Sequence, residues 1–176
     1  MTSPQAARSL LVADLRGSID FAILTIREDE FRAVLRFFPP IQRAVGRRTY
    51  EIAEFETIDG SVYKAALLRS HEKGHASAQS AASDVIVDLD PQWLVLVGIA
   101  GAVPEFEFCL GDVVVATRLH DFSITAAQGD GTSEIAATGG PIHMLIQDLA
   151  SRLPVLEPQL GSWNRAYPVV TPTHYR

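Results

Sequence analysis

A single cysteine, Cys109, stands in 176 residues. One thiol excludes an internal disulfide framework and any zinc site built on several cysteines, and it fits a reducing compartment. Long apolar runs are missing as well. The longest, from Trp93 to Val103, is about half of what a transmembrane helix needs. Near the start, Leu10-Leu11-Val12-Ala13 is too short for a signal-peptide core, and Asp14 interrupts it. Basic blocks are absent beyond Arg47-Arg48, and the net charge is −6. A nucleic-acid groove or an anionic membrane surface is therefore not the expected partner. No P-loop, no GxSxG nucleophile elbow and no Rossmann fingerprint occurs. The expectation is a soluble, cytoplasmic protein, and 47% hydrophobic residues are enough for one domain with a sizeable core.

What is there reads as alternating strands and helices. Residues 1–18 are an arm or a weak amphipathic helix, with Leu10, Leu11 and Leu15 on one face. Residues 19–26 are apolar on both faces and form a central strand. A helix follows over Glu28–Phe38, with Phe31, Val34, Leu35 and Phe38 at helical spacing, and Pro39-Pro40 stops it. Residues 50–56 and 62–68 alternate around the Asp59-Gly60 turn and predict a hairpin, wet on one face and near a sheet edge. A small-residue helix spans residues 75–87. Trp93 begins a buried strand that runs into Gly98-Ile99-Ala100-Gly101-Ala102, and Leu110-Gly111-Asp112 opens another, which reaches Thr117. Residues 120–126 continue as an extended segment. A last helix spans 141–153, with Pro141 in its first turn and Met144, Leu145 and Leu149 inward; one more strand falls at 166–170. This order predicts an α/β three-layer sandwich, a central mixed β-sheet flanked by helices. Such sheets bind ligands beyond the carboxyl ends of their strands.

Four segments carry candidate chemistry. Gly98 to Ala102 leaves main-chain amides uncovered, which suits close approach of a ligand and equally suits a tight turn. In Arg27-Glu28-Asp29-Glu30, Glu28 and Asp29 complement a helix dipole. Glu30 lies in the strand-to-helix corner, where a carboxylate can hold and deprotonate a water, although taken alone it too reads first as a helix-dipole carboxylate. His71-Glu72-Lys73-Gly74-His75 turns onto a helix N-terminus suited to an anion or a ribose hydroxyl. Its two histidines lack a third ligand at a persuasive spacing, so a solvated loop is the reading and no metal is expected. In Arg118-Leu119-His120-Asp121-Phe122, the aromatic ring suits stacking on a base, and a strand end with an ion pair explains the same residues.

Taken in order, these segments resemble the first two-thirds of a methylthioadenosine/adenosylhomocysteine nucleosidase, within the nucleoside phosphorylase and nucleosidase superfamily. The likeness runs from about Ile19 to Leu153, and GIAGA followed by LGDVVVA is its most specific part. The resemblance implies a nucleoside phosphorylase-like domain over 19–176, incomplete at its C-terminus. It implies that Glu30 binds the attacking water and that Ile26 flanks it. Lys73 and Gly74 would close over the ribose, with Ile99, Ala100 and Gly101 under base and sugar. Phe122 to Ile124 would lie beyond the sugar.

The implied reaction is cleavage of a purine nucleoside or nucleotide at its ribosyl C–N bond, without cofactor or metal, in a homo-oligomer. Phosphorylases of this family carry a Gly-Asp-Pro-x-Arg type loop after the first strand. Here that place reads Thr25-Ile26-Arg27-Glu28, so hydrolysis is expected over phosphorolysis, with Arg27 the residue able to meet a phosphate. Ile99 departs from a hydroxyl residue in the closest relatives, and Ala102 from a glycine. The family's Met-Glu pair and its late Ser-Asp acid have no counterpart in this sequence. A fragment of a longer enzyme is the expectation; a non-catalytic nucleoside-binding or oligomerisation domain is the alternative.

Overall fold

The computed structural model describes residues 9–57, 59–101, 112–121, 124–127, 133–135 and 138–159. They fall into two compact units, 1–99 and 100–176, each taken by itself. The first contains β1 (Ser9–Leu11), a 3-10 turn at Val12–Asp14, β2 (Phe21–Thr25), α1 (Glu28–Phe37), β3 (Gln42–Val45), β4 (Thr49–Glu56), β5 (Val62–Arg69), α2 (His75–Leu89) and β6 (Trp93–Leu96). All six strands form one mixed sheet in the order β1-β3-β4-β5-β2-β6. β2 runs parallel to both β5 and β6, and β4 runs antiparallel to β3 and β5.

Side-chain alternation sorts the core onto two faces. Ala22, Leu24, Tyr50, Ile52, Ala66 and Leu68 meet Ala81, Val85 and Leu89 of α2 on one side. Ile23, Ala53, Ala65 and Leu67 meet Val34, Phe31, Leu35 and Phe38 of α1 on the other. Helix, sheet and helix thus make the expected three layers. Each fully buried leucine or isoleucine among them contributes roughly 1.5–3 kcal/mol.

The elements follow from local chemistry. α1 places Glu28, Asp29 and Glu30 in its first turn and Arg36 in its last, matching the helix dipole at both ends. α2 starts at Gly74, whose φ of 111° favours glycine, and it closes on Asp90 in the left-handed region. Its alanines let it lie close on the sheet, although only Ala81 is fully buried.

Several expectations need correction. In the described part of the expected arm or helix over residues 1–18, Ser9–Leu11 is a strand paired parallel to β3, and Val12–Asp14 is a 3-10 turn. The β4–β5 hairpin is not at an edge, because β3 and β1 lie outside it. Its polar positions are met across the ladder instead: Arg43 Nε donates to Glu51 at 2.8 Å, and Lys64 sits opposite Glu54. Alternation reports a wet face, not a strand's place in the sheet. β6, expected to be buried, is the last strand of this sheet among the described residues, and Leu96 is 57% exposed.

The second unit contains β7 (Arg118–Asp121), β8 (Ile124–Ala127), β9 (Ser133–Ile135), β10 (Thr138–Pro141) and α3 (Met144–Leu156), followed by a 3-10 turn at 157–159. β7 pairs antiparallel with β10, and β8 with β9. The described part of the strand expected at 110–117 is not regular, and Val113 is 69% exposed. Pro141 ends β10 opposite Arg118 rather than opening the helix; a residue without an N–H is tolerated at a strand end. Met144, at the start of α3, is 76% exposed, and Leu145 and Leu149 are exposed too, so the expected inward face is not covered. The strand expected at 166–170 lies outside the described residues.

The turn between β3 and β4 is held against α2 by Asp88. A Cβ added at Gly46 would stand 2.5 Å from Asp88 Oδ2 and 2.8 Å from both Val12 methyls. Gly46→Ala is therefore expected to cost about 1–3 kcal/mol through overpacking. Gly140→Ala, where a Cβ meets nothing within 4 Å, serves as the control in thermal unfolding. Equal midpoints for the two variants would refute the crowding at Gly46.

Candidate functional site

The β2–α1 corner and the exit of β6 meet because both strands are parallel and in register, Leu24 opposite Leu96. The ladder extends one step further, with the Val97 N–H donating to Leu24 O at 3.0 Å. Beyond it the chain turns toward Glu30, the third residue of α1. Glu30 Oε2 accepts from the Arg27 N–H at 2.8 Å and the Ile26 N–H at 3.2 Å, and Oε1 accepts from the Ile99 N–H at 2.9 Å. The contact to Arg27 is one half of a capping box. The reciprocal half is absent, since a guanidinium has no acceptor to offer.

Gly98 leaves room for this carboxylate: a Cβ there would lie 3.2 Å from Glu30 Oε1 and would press it back by a few tenths of an ångström. Burial pushes the Glu30 carboxyl up, but the three amide donors outweigh it and hold the group below its ordinary value. Glu30 is thus a carboxylate at neutral pH, positioned from two strand ends at once.

In front of this corner lies a cleft of about 450 Å³, within the usual range for small-molecule sites. Ile26, Arg27 and Lys73 line it together with Arg69 and His71. Arg27 forks onto Asp29 through Nε–Oδ1 at 2.8 Å and Nη2–Oδ2 at 2.7 Å. That pair drives the Asp29 carboxyl down to about 2. Arg32 is paired with Glu28 at 2.6 Å. No ion pair or side-chain hydrogen bond joins Arg69 or Lys73 to another described residue.

A smaller cavity of about 240 Å³ shares Arg69 and His71 with the first and adds Phe31, Arg48, Thr49 and Ser70. Arg48 donates from Nε to Asp84 at 2.7 Å and from Nη2 to Ser80 at 3.2 Å, while its buried Nη1 has no acceptor. An unsatisfied buried donor of this kind costs roughly 1–3 kcal/mol.

Of the expected site residues, Ile26, Arg27 and Lys73 share the cleft, and Gly74 adjoins Lys73 as the N-cap of α2. Glu30 lies behind Ile26 and Arg27, tied to the exposed Ile99. Ala100 and Gly101 belong to the second unit, as does Ile124 in β8. Phe122 lies outside the described residues. Arg69 was missed by sequence reasoning. Its signal was an arginine at the carboxyl end of an apolar strand, the end at which α/β sheets bind ligands.

The family model described as the phosphorylase superfamily matches residues 20–162. The chain belongs to the phosphorylase superfamily. The matched stretch begins one residue before β2 and takes in both cavities, the Glu30 corner and all of α3. No curated protein and no solved structure matches this superfamily member. Among the described residues, no group of three or more His, Cys, Asp or Glu could hold a metal ion. No described helix is long and apolar enough to cross a membrane.

Proposed function

We propose that this phosphorylase-superfamily chain carries the ribosyl-binding part of an enzyme that hydrolyses the N-glycosidic bond of a purine nucleoside or nucleotide. The observation that carries this reading is the Glu30 carboxylate, fixed by the amides of Ile26, Arg27 and Ile99 at the mouth of the sheet. Oε1, which accepts only one of those bonds, keeps acceptor capacity for a water. A water held there would be oriented toward the anomeric carbon as the C–N bond breaks and the sugar gains oxocarbenium character. Because the carboxyl is held low, its main contribution is orientation and electrostatic stabilisation of the developing cation. It is a weaker proton acceptor than a base poised near neutrality.

Phosphorolysis is the second reading, and Arg69 favours it, since this cation, without a partner among the described residues, lies in the same cleft as Arg27. The test is base release from adenosine, methylthioadenosine, inosine and ATP, with and without phosphate. Release without phosphate is the expected result, yielding the free sugar with its 5′ substituent intact: ribose from adenosine or inosine, methylthioribose from methylthioadenosine, ribose 5-triphosphate from ATP. Strict dependence on phosphate, with the sugar 1-phosphate as product (ribose 1-phosphate from adenosine or inosine), would replace hydrolysis by phosphorolysis. Binding without release under either condition would make the chain a nucleoside-binding domain.

A further inference from the structure

We infer that the ligand of this cleft is a nucleotide rather than a neutral nucleoside, its phosphoryl group held where the two cavities join, at Arg69 and beside Arg48. The inference rests on the nucleoside reading above and narrows it. The carboxylates around the larger cavity are mostly consumed: Asp29 by Arg27 and Glu28 by Arg32. In the smaller cavity Glu51 is taken by Arg43. That leaves Arg69 and Lys73 facing Glu72 alone, a local excess of positive charge on a chain whose net charge is −6.

Arg69 is the cation common to both cavities, and no described side chain pairs with it. Across the smaller cavity, the Arg48 side chain is only 11% exposed and one of its nitrogens lacks an acceptor. A phosphoryl group supplies several oxygen acceptors at once, which matches two guanidinium groups better than a sugar hydroxyl would. Because Arg69 is shared, an anion bound there lies next to a ligand in the larger cavity, as a covalently attached phosphate would.

The experiment is calorimetric titration of the chain with adenosine, AMP, inosine, IMP and inorganic phosphate, in parallel with Arg69→Gln. Arg36→Gln, on the exposed side of α1, removes the same charge outside both cavities. The expected result is that AMP or IMP binds about 10–100-fold tighter than its nucleoside, the factor for one or two charge-assisted hydrogen bonds. Arg69→Gln should collapse that ratio toward one, while Arg36→Gln keeps it within about threefold.

Equal affinity for nucleoside and nucleotide in the wild-type chain would overturn the inference and leave the nucleoside reading standing. So would inorganic phosphate that binds together with adenosine and excludes AMP, because the anion site would then serve a free co-substrate. An equal loss of AMP preference in both variants would assign it to overall charge and overturn the role of Arg69. Failure of every nucleoside and nucleotide to bind would overturn the underlying reading as well.

Discussion

In the complete enzyme, Glu30→Gln is expected to lower base release by about 10²–10³-fold, the range for losing one preorganised electrostatic group at the reacting centre. The substitution keeps the side chain's shape and removes its charge. It also replaces one acceptor oxygen by an NH₂ group, which must then face a backbone N–H. At least one of the bonds to Ile26, Arg27 and Ile99 is lost, at roughly 1.5–3 kcal/mol for a bond to a charged acceptor. Stability and turnover therefore fall together, and they have to be measured apart. Ligand affinity by calorimetry and the unfolding midpoint separate a disabled site from a loosened corner. Turnover within threefold of wild type in a folded variant would remove Glu30 from the reaction.

The same carboxylate gives a pH signature whose sign follows from its environment. Its folded pKa lies below the ordinary 4.5, so the folded protein binds this proton less readily than the unfolded chain. The stabilisation is complete above the unfolded value and is lost as pH falls through the folded one. The stability gap between wild type and Glu30→Gln should accordingly narrow in acid below about pH 4.5. A gap that is constant from neutrality down to acid unfolding would mean that the charge contributes nothing to the corner.

The elements that frame this site were legible because each is encoded locally. The switch from the apolar run of β2 to the helical spacing of α1 needs only about twenty residues. The Asp59-Gly60 turn likewise marks its hairpin by itself. What was not legible depends on pairing between distant segments. β3 has four residues, too few for a period to register, so the inner position of the hairpin could not be read. Glu30 reads as a helix-cap carboxylate, yet its tie to Ile99 spans 69 residues. Arg69 lies one residue beyond the strand read at 62–68 and was not singled out. Its place in the cleft follows from β5 lying parallel to β2, with Thr25 opposite Arg69. Gly98 gives a similar lesson, since what marks it is its distance to a side chain from another segment rather than unusual backbone angles.

The largest stability effect is expected at Asp88, where α2 is fastened to the sheet. The Asp88 side chain is 7% exposed and accepts from Tyr50 Oη at 2.7 Å and from the Arg47 N–H at 2.8 Å, with Arg47 Nε at 3.7 Å. Burial, and then the neighbouring Asp88, push the Tyr50 hydroxyl well above its ordinary pKa, which keeps it a donor. Asp88→Ala strips the acceptor from a fully buried phenol, worth roughly 1–3 kcal/mol when orphaned, and from the exposed Arg47 N–H, worth roughly 0.5–1.5 kcal/mol as an ordinary hydrogen bond. The ion pair adds little, because Arg47 is largely in solvent. The sum points to a loss of about 3 kcal/mol, or a midpoint about 6–12 °C lower for a chain of this size. Tyr50→Phe should cost about 1 kcal/mol, and the double variant should lose less than the two single losses combined. That coupling distinguishes a shared hydrogen bond from two unrelated defects. A drop below about 1 kcal/mol in Asp88→Ala, or strict additivity with Tyr50→Phe, would show that α2 is held by its apolar face alone.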